Sequence, residues 1–163
     1  MDNGQLIEWE DRYSVGIELI DEQHRELASQ VNNLCLGCQK SGQDLRLFFD
    51  LNIQPLLRYM RYHFSSEEKM LERIKYPDLA AHSQQHAEMV KIITEGVGRI
   101  QREENSVLLS GNRLPEFASY VRDMFISHIA VLDKKYVSYI HFVNRKMGTY
   151  IMEATLPTEL FFG

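Results

Sequence analysis

The sequence of 163 residues predicts an all-α protein, an antiparallel up-down-up-down four-helix bundle with an N-terminal arm and a C-terminal extension. Four long segments repeat apolar residues with the 3.6-residue period of a helix, and almost no segment alternates with the period of two that strands require. The connections between these segments are short, which favours antiparallel neighbours. Each apolar stripe also contains at least one histidine, so the same pattern predicts a polar layer inside the bundle.

The first two helices are predicted from their apolar stripes and their boundary residues. The first begins near Asp21, which we expect to cap the N-terminus, and it ends at the "KSGQD" segment. His24 lies inside its apolar stripe. The second helix runs from about Asp44 to about Ile74 and contains Pro55, where we expect a kink because proline lacks the N–H of the helical hydrogen bond.

The last two helices carry histidines on their apolar faces as well. The third places His82 and His86 on one face, and we expect it to loosen at Gly96, Gly98 and the polar "QREEN" segment. The fourth follows the "LLSGNRLPE" loop, has His128 in its stripe and continues through "DKKYVSYIHFVNRKM". All four predicted helices therefore direct at least one histidine towards the centre of the bundle.

Composition limits the domain organisation and the partners. The length fits one domain, which we assign to residues 1–148 and which is followed by a C-terminal extension, residues 149–163. The net charge of -5, without a basic face, predicts no nucleic-acid partner. No run approaches the roughly 20 apolar residues of a membrane span, and the acidic start does not resemble a signal peptide. We therefore expect a cytoplasmic protein that does not bind a membrane.

The "CLGC" segment contains the two cysteines, Cys35 and Cys38. Two cysteines are too few for a disulfide framework in a chain of this length. A redox pair would follow a strand in a βαβ unit, which the pattern does not predict here. We therefore interpret both cysteines as ordinary small apolar residues.

Buried histidines and carboxylates need partners. An imidazole or carboxylate that is buried without one costs several kcal/mol, so a core with this many polar groups implies a shared partner such as a metal ion. His63 and Glu67 are spaced i and i+4, as are His82 and His86, so each pair lies on one face of its helix. Each pair is therefore spaced to bind a common centre.

The "HIAVLD" segment has a less regular spacing. Asp133 follows His128 by five residues, which on a regular α-helix turns the carboxylate about 140° away from the imidazole. A single π-helical turn between them would align the two side chains, and such turns occur often at functional sites. We therefore predict a π turn at this point.

The number of candidate ligands predicts two metal ions. Five histidines and two carboxylates exceed the four ligands of tetrahedral zinc. Two bridging carboxylates, five imidazoles and a bridging oxo or hydroxo group fill all but one position of two octahedral ions. Imidazole with carboxylate suits iron, and the open position suits an external ligand such as dioxygen. The predicted metal ligands are His24, His63, Glu67, His82, His86, His128 and Asp133.

At these motifs the sequence resembles the bacterial hemerythrins, over about residues 7 to 140. The matching runs are "WEDRYSVGIELIDEQH", "HFSSEE", "YPDLAAHSQQH" and "HIAVLD". The resemblance implies two non-haem irons with a bridging oxo or hydroxo group, and reversible binding of dioxygen at a five-coordinate iron. It also implies a division of the ligands, in which Glu67 and Asp133 bridge the irons. By that division one iron binds His82, His86 and His63, and the other binds His24 and His128.

Neighbouring residues complete the predicted site. Helical geometry places four apolar residues around His128, where they would form an apolar wall for dioxygen or simply fill the core. These residues are Met124, Phe125, Ile129 and Leu132. We interpret Glu68 as a solvated surface charge, and we leave His141 out of the ligand set.

Three classes of function are compatible with this site. We prefer a protein, not an enzyme, that binds dioxygen for storage, transport or delivery. The first alternative is an oxygen or redox sensor that signals to a partner protein, for which the C-terminal extension is a candidate contact. The second is a di-iron oxidase or peroxidase, which is less favoured because no Glu-x-x-His pair occurs, and HExxH is also absent.

Overall fold

The computed structural model describes residues 6–38, 44–102 and 113–147, and within these ranges the chain is helical with no strand. A short 3₁₀ helix, Asp11–Tyr13, precedes the long helices. The long helices are α1 (Glu18–Cys38), α2 (Asp44–Arg73), α3 (Leu79–Arg102), α4 (Arg113–Ser127) and α5 (Asp133–Met147). The predicted extension, residues 149–163, lies outside the described residues, so the domain boundary stays a prediction.

The helices form a four-helix bundle, as predicted. A π-helical turn, His128–Leu132, joins α4 to α5, and the three pieces together make the fourth helix of the bundle. α1 packs against α2 and α4, and α3 packs against α2 and α4. Each of the four helices of the bundle therefore contacts two neighbours and directs one face towards the common axis.

The start of α1 differs from the prediction. The helix begins at Glu18, and Asp21 lies in its first turn instead of capping it. The Asp21 carboxylate accepts hydrogen bonds from Ser14 Oγ (2.6 Å), Val15 N (2.7 Å) and Gly16 N (3.2 Å). Asp21 therefore holds the segment before the helix, in which Gly16 has a φ of 74° that favours glycine.

α2 continues through Pro55 without interruption. The proline removes the hydrogen bond to the carbonyl of Leu51, one turn earlier. Leu51 is 63% exposed, so water can satisfy its carbonyl oxygen. The bend predicted at Pro55 stays a prediction.

α3 continues through the two glycines at which the sequence predicts that it loosens, and it ends at Arg102, within the "QREEN" segment. Gly96 and Gly98 both lie inside the helix, which continues to Arg102. A Cβ atom on Gly96 would clash with the ring of Phe117 in α4, whereas one on Gly98 would meet only the tip of the Arg102 side chain, at 3.4 Å. Gly96 therefore marks a close approach of two helices, and the expectation that the helix loosens at the two glycines was wrong.

The apolar core lies in two clusters. The larger includes Leu27 and Phe125, and the smaller includes Met70 and Tyr136. Along each helix of the bundle the predicted metal ligands fall between residues of the two clusters. Because the outer faces of the helices are polar, no helix within the described ranges is long and apolar enough to cross a membrane.

Candidate metal centre

All seven predicted ligands lie in one buried layer of the bundle, and none exposes more than 5% of its surface. Each helix of the bundle contributes to this layer. His24 comes from α1, and His63 and Glu67 come from α2. α3 carries the pair in "HSQQH", and the fourth helix carries the last two ligands. The structure therefore brings together residues that are more than one hundred positions apart in the chain.

The predicted π turn is confirmed. It spans His128–Leu132, and Asp133 is the residue that follows it. His128 Nε2 and Asp133 Oδ1 lie 3.0 Å apart, so the wider turn aligns two side chains that a regular α-helix would separate.

The first group of candidate ligand atoms contains three imidazoles and two carboxylates. These atoms all lie within 4.8 Å of one another. His86 Nε2 is 3.0 Å from His128 Nε2 and 3.1 Å from Glu67 Oε2. The members of this group are Glu67, His82, His86, His128 and Asp133.

The second group contains His24, His63 and Glu67, whose ligand atoms also lie within 4.8 Å of one another. Glu67 is common to both groups. Asp133 reaches both sides as well, because its Oδ1 is 3.0 Å from His128 Nε2 while its Oδ2 is 3.3 Å from His24 Nε2. The two carboxylates are therefore placed between the two sets of imidazoles.

This grouping corrects the division of histidines that we expected. His128, not His63, joins the pair of histidines on α3, while His63 packs beside His24 with ring centroids 4.6 Å apart. The order of the helices alone permits either division, because α2 and the fourth helix each contact both α1 and α3. The positions of the packed side chains decide it, since His63 lies beside His24 on α1 and His128 lies beside His86 on α3.

Several buried polar atoms of the site have no hydrogen-bond partner within the described part of the chain. They include His24 Nε2, His63 Nε2 and both carboxylate oxygens of Asp133. His24 Nε2 lies 3.3 Å from Asp133 Oδ2. Unpaired buried donors and acceptors are costly, and metal ions that accept lone pairs from all of them would remove that cost. The donor set, imidazole with carboxylate, fits iron.

Gln23 is a contact of the site that the sequence analysis missed. Its Oε1 lies 3.0 Å from His63 Nδ1, and both residues are buried. The ring N–H on Nδ1 donates to the amide oxygen, so the lone pair on Nε2 faces the second group. Gln23 directly precedes His24, but sequence spacing alone does not show that it reaches a histidine on another helix.

Glu68 corrects a second expectation. Its Oε1 lies 2.6 Å from His86 Nδ1, so it is a direct partner of a candidate ligand and not a solvated surface charge. The ring of Phe64 stacks on the ring of His86, with the ring centroids 3.8 Å apart and an angle of 7° between the ring planes. Only the packing of α2 against α3 places these side chains under His86, so no local signal in the sequence could have identified them.

Tyr136 contacts the shared carboxylate. Its hydroxyl donates a hydrogen bond of 2.6 Å to Glu67 Oε1, while Glu67 Oε2 faces the histidines of α3. Burial and the neighbouring charge of Glu67 raise the pKa of Tyr136 well above its ordinary value, so the hydroxyl keeps its proton. Tyr136 follows Asp133 by three residues, and this helical spacing is a signal from which the contact could have been predicted.

The two carboxylates stay ionised inside the bundle. Burial raises the pKa of Glu67, but its contacts with the imidazoles of His82 and His86 outweigh this effect and hold the pKa well below its ordinary value. For Asp133, burial and the charge of Glu67 raise the pKa, and the close imidazoles of His128 and His24 bring it below the ordinary value. Ionised oxygens are the form that binds cations.

The N-terminal arm covers the His24 side of the layer. Asn32 holds the arm by accepting a hydrogen bond from Ile7 N (2.7 Å) and donating one to Ile7 O (2.9 Å). The Trp9 ring lies 6.3 Å from the His24 ring, and Phe125 approaches His24 edge-on at the same centroid distance. Two aromatic side chains therefore flank this histidine.

The four predicted pocket residues do not share one wall. Met124 and Leu132 line a cavity of about 380 Å³ between α3 and the fourth helix, together with His128. Phe125 and Ile129 are buried in the larger core cluster and do not line that cavity. Helical spacing correctly predicts that all four residues lie near His128, but two of them line the cavity and the other two face the core.

The residues that we excluded from the site lie elsewhere. Cys35 and Cys38 are free thiols in the core, and burial raises the pKa of Cys38 to about 12, so that thiol stays protonated. This agrees with their interpretation as small apolar residues. His141 is exposed on α5 and belongs to neither group of candidate ligands.

The fold and the site together define a class of protein: a four-helix bundle whose buried layer of imidazoles and carboxylates is arranged for a pair of metal ions. Residues 15–140 match the family model of the hemerythrin HHE cation-binding domain. This match covers more than half of the chain, so the chain belongs to the hemerythrin family.

Individual relatives agree with this assignment. The chain is 34% identical over 100 residues to bacteriohemerythrin of Stenotrophomonas maltophilia, covering 61% of this chain and 63% of that relative, slightly less than two thirds of its length. It is 26% identical to bacteriohemerythrin of Methylococcus capsulatus, covering 76% of this chain and 88% of the relative. A crystal structure of a hemerythrin mutant superposes with a TM-score of 0.67 at 25% identity, covering 82% of this chain and 95% of that one.

Family membership also identifies the cofactor. The cofactor of hemerythrins is a pair of non-haem irons with an oxo bridge, and the described residues include a cluster of histidine, glutamate and aspartate that could hold it. The predicted resemblance to the bacterial hemerythrins and the predicted di-iron cofactor are therefore confirmed. Hemerythrins are mainly oxygen-binding proteins, and they are less often associated with enzymatic turnover.

Proposed function

We propose that this domain binds dioxygen reversibly at its iron pair, for storage, transport or delivery of oxygen. The observation that carries the proposal is the unequal number of imidazoles on the two sides of the shared carboxylates. Three imidazoles lie on one side and two on the other. If both carboxylates and one oxo or hydroxo group bridged two six-coordinate irons, only the second side would keep a position for an external ligand.

The proposed ligand assignment follows the same grouping. One iron would bind His82, His86 and His128. The other would bind His24 and His63, and the carboxylates of Glu67 and Asp133 would bridge the two. When bound, the iron pair supplies the electrons that dioxygen takes up reversibly.

The protein's own residues would protect this site. Phe125 and Trp9 flank His24, on the side that keeps the open position, and they present ring edges and faces in place of polar groups. An apolar surrounding limits the access of water and protons, which otherwise promote irreversible oxidation. Tyr136 keeps its proton on the far side of Glu67, where its hydrogen bond orients the carboxylate.

A binding function is favoured over an enzyme by the donor set. Five neutral imidazoles and two carboxylates donate less negative charge than the carboxylate-rich di-iron enzymes, which use Glu-x-x-His pairs. Weaker donation favours reversible binding over high-valent oxidation. The sensor alternative depends on residues 149–163, which lie outside the described ranges, so the described residues provide no observation that favours it.

The proposal is tested by metal analysis and an optical titration of the purified protein. The protein is reduced with dithionite under argon and then exposed to air while the visible spectrum is recorded. We expect two irons per chain and a charge-transfer band that appears with oxygen and disappears when oxygen is removed. The Glu67→Ala variant is the control that should lack the band.

The other outcomes separate the alternatives. Irreversible oxidation without an oxygen-dependent band would contradict a reversible carrier and favour a redox sensor. Repeated turnover with a reductant and peroxide would favour an oxidase or a peroxidase. A single metal per chain would contradict the proposed ligand assignment.

A further inference from the structure

We propose that Glu68 is a positioning residue for His86, and that its negative charge makes the three-imidazole metal position more favourable to the oxidised ion than the two-imidazole position. This inference rests on the proposed function, because it requires that His86 binds iron. It concerns a residue outside the predicted ligand set.

The contact between Glu68 and His86 is short and specific. Glu68 Oε1 lies 2.6 Å from His86 Nδ1, a distance typical of a charge-assisted hydrogen bond. Because the Nδ1–H donates to this carboxylate, the lone pair on Nε2 is directed into the site, where it lies 3.1 Å from Glu67 Oε2. The stacked ring of Phe64 restrains the plane of the imidazole. The orientation of His86 is therefore set from two directions.

The corresponding contact on the other side of the site is neutral. His63 Nδ1 donates to the amide oxygen of Gln23 at 3.0 Å. A carboxylate that accepts the distal proton of an imidazole makes the ring a stronger donor than a neutral amide does. A stronger donor stabilises the more highly charged ion, so the iron at His86 should be harder to reduce than the iron at His63.

The surroundings of Glu68 allow this charge to be removed without disrupting the core. Its side chain is 34% exposed and lies on the wall of a surface cavity of about 540 Å³ between α2 and α3, which His86 also lines. Glu68→Gln therefore leaves no fully buried polar group without a partner. The amide oxygen of that variant can still accept the hydrogen bond from His86, so charge and position are separable.

Three variants test the inference. Glu68→Gln removes the charge and keeps an acceptor, whereas Glu68→Ala removes both. Glu72→Gln removes the same charge from an exposed position one turn further along α2 and is the matched control. Circular dichroism melting of each metal-free protein shows whether it folds as the wild type does.

Two measurements distinguish position from charge. Zinc affinity of the metal-free proteins, measured against a competing chelator, should fall about 10- to 100-fold in Glu68→Ala and much less in Glu68→Gln. The reduction potential of the iron-loaded protein should rise in both Glu68 variants, by about 59 mV for each tenfold loss of preference for the oxidised ion. Glu72→Gln should change neither value.

The results that would overturn the inference are equally specific. If both Glu68 variants keep the zinc affinity and the potential of the wild type, Glu68 forms only a surface ion pair. If Glu68→Gln and Glu72→Gln shift the potential equally, the effect of charge is general and not transmitted by His86. A wild-type protein that fails to bind two irons would instead contradict the proposed function, so the two failures are distinguishable. If Glu68→Ala does not fold, Glu68→Gln still decides.

Discussion

Glu67 is the residue on which most contacts of the site converge. Its Oε1 accepts a hydrogen bond from Tyr136, and its Oε2 lies 3.1 Å from both His82 Nε2 and His86 Nε2. Its ligand atoms also belong to the group that contains His24. Because a fully buried carboxylate is unfavourable without partners, these contacts explain how an ionised group is kept at the centre of the bundle.

Replacement of a shared carboxylate should weaken metal binding on both sides of the site. We expect Glu67→Ala and Asp133→Ala to lose at least one of the two irons, because each carboxylate lies between the two groups of imidazoles. Iron analysis of the purified variants, with circular dichroism to verify folding, measures this effect. His141→Ala is the control and should keep its full iron content. A Glu67→Ala variant with two tightly bound irons would contradict the assignment.

The metal-free protein should become less stable in acid because of His63. Burial, with a further effect of the charge on His24, lowers the pKa of His63 from 6.5 to about 3. Between these values the unfolded chain takes up a proton that the folded chain does not. The free energy of unfolding should therefore decrease as the pH falls from about 6.5 to about 3, by up to about 1.4 kcal/mol per pH unit from this residue.

Urea unfolding of the metal-free protein at several pH values in this range tests the prediction. His63→Gln cannot take up the proton, so the dependence of its stability on pH should be shallower than that of the wild type. The low pKa values of Glu67 and Asp133 act in the same direction and remain in the variant. Equal slopes for the two proteins would show that His63 is not the group responsible.

At the scale of the elements, the fourth helix shows how local geometry serves the site. Its π turn changes the angular offset between His128 and Asp133 so that both point inwards. Val131, within the turn, is an apolar residue that is 55% exposed. The π turn therefore departs from α-helical geometry at the point where it brings the last two candidate ligands into the buried layer.

The packing of α3 against α4 depends on a glycine. Ala at position 96 would place a Cβ against the ring of Phe117, which itself packs on Phe49 at 5.8 Å. Overpacking of this kind costs about 1–3 kcal/mol, which exceeds or cancels the gain of about 1 kcal/mol in helix propensity. We therefore expect Gly96→Ala to lower the melting temperature or leave it without any gain.

Gly98→Ala is the matched control on the same helix. A Cβ at this position meets only the end of the Arg102 side chain, which can move, so the gain in helix propensity should remain. We expect Gly98→Ala to raise stability by about 1 kcal/mol, measured by thermal or urea unfolding. If Gly96→Ala stabilises the protein as much as Gly98→Ala does, the close approach of α3 and α4 is not a constraint.

At the scale of the whole molecule, the bundle encloses more polar groups than its own hydrogen bonds satisfy. Within the described ranges, atoms of His24, His63 and Asp133 have no hydrogen-bond partner although they are buried between two apolar clusters. Metal ions that bind only the folded state would remove this cost and add their binding free energy to folding. The stability of the fold and the occupancy of the site are therefore linked.

Removal of metal should lower the melting temperature of the protein. A ligand present at about 100 times its dissociation constant stabilises the folded state by about 2.7 kcal/mol. For a chain of this size that corresponds to roughly 5 to 10 °C. Calorimetry of the protein before and after treatment with a chelator measures the change, and Glu67→Ala should show a smaller one. An unchanged melting temperature in the wild type would contradict the link.

Much of the fold and of the candidate site could be predicted because the sequence patterns that indicate them are local. The 3.6-residue period, the i and i+4 pairs such as His63 and Glu67, and the spacing of five between His128 and Asp133 depend only on helical geometry. These patterns are enough to predict four helices, seven candidate ligands and a π turn. The loosening expected at Gly96 was wrong because a glycine signals a close contact between helices as readily as it signals a break.

By itself, the sequence determined the helices, the polar layer inside them and the residue types that suit iron, because each of these follows from spacing along one chain segment. Only the tertiary structure decided which imidazoles lie together, exchanging His63 and His128 relative to the expected division. It also placed Glu68 on His86 and Gln23 on His63. These contacts join different helices, and their geometry depends on the order and rotation of the helices in the bundle, which no local period encodes.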